Sequence, residues 1–259
     1  MCLLTLAWQA DPRWPLVLAG NRDERHDRPT LTARRWQDAP HVLGGVDLEA
    51  GGAWLGVSEL CRLVSVTNVR SPGGIGRARR SRGLLTRGFL LGETDLAGLR
   101  ALDLDGFNPF NLIGVQDGQA FLAGNSPRPQ VRLLGPGIYG LSNGSLDEPW
   151  PKTLRLKAVM AGWLAGDAAE LEPLFEALAD PRAAPDGDLP DTGVGLERER
   201  MLSPAFLLGE VYGTRCSTVV RIAADGQGEL TERSFGPMGV AAGEVRLAFR
   251  WPVTELCTG

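Results

Sequence analysis

Apolar residues along this chain come first in short runs broken by turns, and only later in helical stripes. Leu3 to Trp8 and Leu16 to Ala19 are runs of strand length separated by Asp11-Pro12-Arg13, a turn signal, and together they predict a hairpin. Ala53 to Val57 and Arg62 to Thr67 read as further strands, introduced by the glycine pair Gly51-Gly52. Ser81-Arg82-Gly83 opens a helical stretch through about Leu91, and Thr94 is placed to cap a second helix ending near Leu102. Strands return at Phe110–Val115, Ala120–Ala123, Val131–Leu134 and Ile138–Leu141. Pro151 then suits a first helical position, and Leu156, Val159, Met160, Trp163 and Leu164 recur on one helical face. Leu171, Leu174, Phe175 and Leu178 repeat that face, and strands resume at Ser217–Ala223, Glu229–Ser234 and Val245–Trp251.

Strands, a helix pair, strands, a helix pair and strands again predict an α+β protein: two packed antiparallel sheets with helices outside, not a parallel βαβ sheet. The Pro/Gly/Asp-rich stretch 180–200 exceeds an ordinary structureless connection and reads as a lid or a surface strap. No internal repeat or low-complexity tract interrupts the pattern, and residues 1–259 are expected to form one domain.

Composition narrows the function classes. The chain has 43% hydrophobic and 22% charged residues, ordinary for a globular protein. Its 27 Lys and Arg against 31 Asp and Glu leave a net charge of −4, which argues against a nucleic-acid partner. The one basic run, Arg77 to Arg82 with Arg79 and Arg80 inside it, is either a solvated helix entrance or an anion-binding edge. Cys2, Cys61, Cys216 and Cys257 form neither a C-x-x-C pair nor a disulfide framework, and with two histidines they imply no metal site. The first residues lack the basic region of a secretory signal, and no apolar run approaches the roughly 20 residues that span a bilayer. The expectation is a cytoplasmic protein with no integral membrane segment.

Three features could carry chemistry. Cys2 follows Met1, and aminopeptidase removal of Met1 would place a thiol beside its own α-amine, a base with a pKa of about 7.7–8.0. Alone, a Cys at position 2 carries little weight. Asn21-Arg22-Asp23-Glu24 directly follows the second strand, beside the start of the first; Arg22 could favour the thiolate and Asp23 could hold the amine, the alternative being a salt-bridged turn. Asn68, Asn111 and Asn143 sit at strand ends, where a side-chain amide suits an oxyanion donor or, more plainly, a turn. The sequon Asn143-Gly144-Ser145 carries no weight without a secretory signal. Leu189-Pro190-Asp191-Thr192-Gly193 spells a sortase signal but has no apolar span after it, so it reads as a surface loop. His26 and His41 could ligate haem, although no haem-attachment motif holds either.

Taken in order, Met1-Cys2-Leu3, Asn21-Arg22-Asp23-Glu24, Gly51-Gly52-Ala53-Trp54-Leu55-Gly56, Thr67-Asn68, Ser81-Arg82-Gly83 and Asn108-Pro109-Phe110-Asn111-Leu112 resemble the NRDE family, the transport-and-Golgi-organisation protein 2 family. So do Leu141-Ser142-Asn143, Trp150-Pro151-Lys152, Leu189 to Gly193 and Gly213-Thr214-Arg215-Cys216-Ser217-Thr218, with Ala53 a departure from the usual Thr. The resemblance covers essentially the whole chain. It implies a four-layer αββα sandwich like that of the N-terminal-nucleophile hydrolases, among them the penicillin V acylase and bile salt hydrolase group. By motif it makes Cys2 the nucleophile, Arg22 and Asp23 its orienting pair, Asn68 and Asn143 oxyanion donors and Arg215 a site cation. Those hydrolases separate the Arg and Asp by two residues; here they adjoin, so one is expected to point away.

Three readings follow. The first is a thiol amidohydrolase or acyltransferase acting on a C–N bond of a small molecule, with no cofactor required. The second is a non-enzymatic carrier of haem or an acyl-CoA or lipid ligand on the same fold, since the family is associated with haem mobilisation and lipid homeostasis. The third is a silent scaffold.

Overall fold

The computed structural model describes residues 2–70 and 80–253, with Cys2 described by its backbone. Arg77 and Arg79 of the basic run, and Cys257, lie outside the described residues. Among the described residues, thirteen strands form two sheets. One contains β1 (Cys2–Trp8), β2 (Leu16–Arg25), β10 (Gly137–Leu141), β11 (Tyr212–Ile222), β12 (Gln227–Phe235) and β13 (Ala241–Arg250), in the order β10-β1-β2-β11-β12-β13. The other runs β3 (Thr30–Arg35), β4 (Val42–Asp47), β5 (Leu55–Ser58), β6 (Arg62–Asn68), β7 (Phe110–Gln116), β8 (Gln119–Gly124) and β9 (Gln130–Leu134) side by side. Every ladder between these strands is antiparallel, including β1–β10 and β2–β11, whose strands lie far apart in the chain.

Three apolar layers hold four structural ones together. Leu4, Leu6, Leu18, Leu43, Leu63, Ile113 and Val220 meet between the sheets. On the outer face of the β3–β9 sheet, Val64, Val66 and Leu112 pack against Leu85 and Phe89 of α1 (Arg82–Leu91) and Leu99 of α2 (Leu96–Ala101). On the other outer face, Leu3, Ala7, Val17 and Ala19 meet Leu156, Met160 and Trp163 of α3 (Pro151–Ala165) and Leu174, Phe175 and Leu178 of α4 (Glu172–Leu178). The result is the αββα sandwich. Because each sheet is covered on both faces, β1 and the start of β2 are apolar at nearly every position and do not alternate.

Several local expectations change. Asp95, not Thr94, caps α2: its carboxylate accepts from the Gly98 N–H at 2.7 Å, closing the first turn. The strands Thr30–Arg35 and Val42–Asp47 lack an apolar run: in β3 only Ala33 is buried, and Gly44-Gly45 interrupts β4. The 180–200 stretch ends in a short helix, α5 (Leu196–Met201). The motifs Gly51-Gly52 and Ser81-Arg82-Gly83 dock on one another: Ala53 N–H donates to Gly83 O at 3.1 Å, and a Cβ on Gly52 would fall 2.2 Å from the Gly83 carbonyl carbon. Only glycine permits that approach.

The largest revision concerns Asn21-Arg22-Asp23-Glu24. The tetrapeptide lies within β2, paired on one side with β1 and on the other with β11, and does not follow the strand. Asn21, Arg22 and Asp23 are 4%, 4% and 2% exposed. Burying such groups is costly unless each finds a partner, and residues far away in the chain supply those partners.

Candidate functional site

Strand alternation sends successive side chains of β2 to opposite faces. Asn21 and Asp23 face the helices. Asn21 Nδ2 donates to Leu178 O and Ala205 O, both at 2.8 Å, while Ser217 Oγ donates to Asn21 Oδ1 at 2.7 Å. That amide clamps β2 to the end of α4. Asp23 accepts from Thr214 Oγ1 at 2.7 Å. Burial pushes the Asp23 carboxyl up, against the opposing pull of Lys152, the Thr214 hydrogen bond and Arg22.

Arg22 faces the space between the sheets, so the two adjoining residues do diverge. Its Nη2 donates to Asp47 Oδ2 at 3.1 Å, its Nη1 reaches Thr30 Oγ1 at 3.4 Å, and its guanidinium lies 4.4 Å from the centre of the Trp54 ring. Gly45 makes this stack possible, since a Cβ there would lie 2.0 Å from the Trp54 ring. Asp47 also accepts from Arg28 Nε at 2.6 Å and from the N–H groups of Glu49 and Ala50. Burial alone would push the Asp47 carboxyl up, but Arg28, the Ala50 N–H and Arg22 outweigh it and hold it below the ordinary range. A pocket of about 240 Å³, its open mouth included, is lined by Leu4, Arg22, Trp54, Ser65 and Thr218.

Register brings the remaining candidates to one end of the sandwich. Arg22 stands opposite Cys2 of β1 on one side and Cys216 of β11 on the other. The two cysteines differ in setting. Burial, with Glu232 beside it, pushes the Cys216 thiol well up, so that sulfur is held protonated and poorly nucleophilic. On the far side of β1, Leu4 pairs with Leu141, the last residue of β10, and Asn143 follows two residues beyond that strand end. Asn143 is fully buried, and its Nδ2 donates to Asn68 O at 2.9 Å, tying the end of β10 to the end of β6 in the opposite sheet. Asn111 lies inside β7 and donates to Gly144 O at 2.7 Å, which braces the same turn.

Arg215 occupies the bulge where the β2–β11 register shifts. Its Nη1 donates to Arg25 O at 2.6 Å and Arg28 O at 3.2 Å, so it secures the turn that follows β2. Burial and the nearby Arg22 pull its pKa down. His26 follows β2 in one sheet and His41 precedes β4 in the other, and neither lines the pocket beside Arg22. Among the described residues, no group of three His, Cys, Asp or Glu side chains is placed to hold a metal ion, and no helix is long and apolar enough to cross a membrane.

Sequence reasoning missed four residues beside this end of the fold. Arg70 N–H donates to Asn143 O at 2.7 Å, and the Arg70 side chain forms a buried ion pair with Glu199 of α5. Trp150 lies under Arg70, with 5.0 Å from guanidinium carbon to ring centre. Lys152, only 3% exposed, donates to Leu202 O at 2.9 Å. Trp150 and Lys152 belong to one of the ordered motifs, but Arg70 and Glu199 have no local signal. Glu199 sits in the charged run Glu197-Arg198-Glu199-Arg200, inside the stretch read as a lid or surface strap. The Leu189 to Gly193 loop is a strap over this region: Thr192 donates to Glu199 Oε1 through its N–H at 2.9 Å and its hydroxyl at 2.5 Å.

Comparison with known proteins agrees with the ordered motifs. A protein of Bos taurus called Transport and Golgi organization protein 2 homolog is 34% identical over 264 residues, covering 91% of this chain and 93% of that protein. Among solved structures, an N-acylethanolamine-hydrolyzing acid amidase ortholog of Caenorhabditis elegans superposes with a TM-score of 0.48 at 12% identity, over 84% of this chain and 92% of that one. A mutant conjugated bile acid hydrolase from Clostridium perfringens gives 0.49 at 9% identity, over 98% of both chains. The layer order of the sandwich rests on the strand pairing and the three cores, not on these superpositions. The family model for Transport and Golgi organisation 2 matches residues 1–237, and the chain belongs to that family.

Proposed function

We propose that this protein is an N-terminal-nucleophile amidohydrolase or acyltransferase that acts on a C–N bond of a small molecule through Cys2. The observation that supports it most is the backbone pairing: Cys2 stands opposite Arg22 of β2, β10 pairs along the other side of β1 from Leu4 onward, and Asn143, two residues past the end of β10, is tied to Asn68 of the other sheet. After Met1 is removed, the Cys2 amine accepts the thiol proton and the sulfur attacks the carbonyl carbon. Charge then develops on the carbonyl oxygen. A side-chain amide carries two N–H groups, so Asn143, with one of them committed to Asn68 O, keeps a second on a fixed plane for that oxygen. Collapse breaks the C–N bond, the amine leaves with the proton, and water or an acceptor amine resolves the thioester. In this reading Asp23 orients the α-amine, Arg22 favours the thiolate, and Arg215 holds the adjoining turn.

The test has two parts. Intact mass of protein from its native host should start at Cys2, and an activated amide or ester probe should acylate that residue and no other cysteine. With the Asn68 side-chain amide as the second oxyanion donor by motif, Asn143→Ala and Asn68→Ala should each lower acylation per folded molecule by about a hundredfold or more. Retention of Met1, or labelling that survives Cys2→Ala, removes the proposal.

A further inference from the structure

Beyond Asn143 lies a pocket of about 220 Å³, its mouth included, that the chemistry at Cys2 does not use. Its polar wall is Arg70, Glu199, Trp150 and Lys152, and its apolar wall is Pro151, Leu189, Pro190 and Leu202. The Arg70 side chain is 5% exposed and that of Glu199 is 3% exposed.

The hydrogen bonding here is lopsided. Glu199 is engaged at both oxygens: one takes Arg70 Nη1 and the other takes both donors of Thr192. Arg70 is not. Its Nε and Nη2 are buried without an acceptor among the described residues, and so is the indole Nε1 of Trp150, whose ring lies under the guanidinium. A buried donor left unmade costs free energy, so three in one wall call for an explanation. All three are donors only, because neither guanidinium nor indole can accept. Nε and Nη2 also form the side edge of the guanidinium, the fork that takes both oxygens of a planar carboxylate at once.

Charge points to the same ligand. In the lining, Arg70 is set against Glu199, and Lys152 also interacts with Asp23, so the wall suits a monoanion better than a phosphate dianion. The apolar residues at the rim suit the carbon chain that a carboxylate would trail. We propose that this pocket binds the carboxylate of a small organic acid, with Arg70 Nε and Nη2 and the Trp150 indole N–H as its donors. Burial pulls the Arg70 pKa down against Glu199, and a second anion beside it would offset that cost.

This site does not depend on Cys2, and its test is separate. Titration of the full chain with sodium propionate, against sodium chloride at equal ionic strength, is followed by the ¹⁵N–¹H signal of the Trp150 indole. That signal is identified by its loss in Trp150→Phe. Propionate should move it saturably downfield, and the same should hold in Cys2→Ala. Trp150→Phe, which keeps the ring and removes the donor, should weaken propionate by roughly tenfold or more with the melting temperature little changed. An indole signal unmoved by propionate would mean that these donors meet only water, and would overturn the proposal. Tighter binding of inorganic phosphate than of propionate, or undiminished binding in Trp150→Phe, would overturn it as well.

Discussion

Arg22 and Arg70 are built from the same parts and completed differently. Each is a buried arginine stacked on a tryptophan, Trp54 or Trp150, and paired with a carboxylate, Asp47 or Glu199. Around Arg22 the network closes on itself: both Nη atoms reach acceptors, and Asp47 is shared with Arg28 and two backbone donors. Around Arg70 both carboxylate oxygens are engaged while the guanidinium keeps a buried edge without an acceptor among the described residues. A closed network stabilises the fold. An open one, equally buried, has room in its hydrogen bonding for something the chain does not itself supply.

The largest expected effect comes from removing the carboxylate of the open network. Glu199→Ala strands Arg70 with no counter-charge and releases Thr192, and should cost about 3–5 kcal/mol in urea unfolding. Arg22→Met leaves Asp47 with Arg28 and its backbone donors, so its cost should be smaller, about 1–3 kcal/mol. If the two rank the other way, Arg22 and not Arg70 is the less well compensated charge.

A pH series separates the two faces of β2. The Asp47 carboxyl is held low in the fold, so its contribution is present above the unfolded-state pKa of about 4 and is lost as pH falls through the folded value. The Asp23 carboxyl is raised, and its sign reverses: the native state loses stability as pH climbs from about 4 through the raised value. Asp47→Asn should therefore flatten the acid limb. Asp23→Asn should gain on the wild type as pH rises above about 4, by about 1.4 kcal/mol for every tenfold by which folding tightens the carboxyl's hold on its proton. Urea midpoints at three pH values give both slopes, and parallel curves for Asp23→Asn and the wild type would contradict the assignment.

The smallest effect is at the tryptophans. Trp54→Phe weakens the stack under Arg22 and should cost about 0.5–1 kcal/mol. Trp150→Phe loses similar stacking but also removes a buried donor without an acceptor, so in ligand-free protein it should stay within about 0.5 kcal/mol of the wild type. Thermal melts of the two variants side by side measure the difference; equal losses would mean that the Trp150 donor carries no penalty.

Much of the scaffold was legible in order and type. The helical stripe Leu156, Met160, Trp163 and Leu164, the strand runs of β1, β7 and β8 and the Ser81 cap of α1 are local patterns, and local patterns survive folding when tertiary contacts agree with them. The candidate site was half legible. Cys2, Arg22, Asp23, Asn68 and Asn143 were named from motif, while Arg70 and Glu199 escaped. A buried arginine two residues past a strand looks like any solvated one until its partner arrives from 129 positions along the chain.

What the sequence determined by itself was the succession of elements and the residue types at their ends, because hydrophobic period and capping act over one or two turns of chain. What only the tertiary structure decided was the environment of each charge. Asn21-Arg22-Asp23-Glu24 has the composition of a turn, and it is a strand because β1 and β11 pair with it on both sides. Those pairings divide its side chains between a space that Asp47 and Trp54 fill and one that Thr214 and Leu178 fill. Burial makes an ion or an amide seek a partner wherever the fold has brought one, and that search has no period to read.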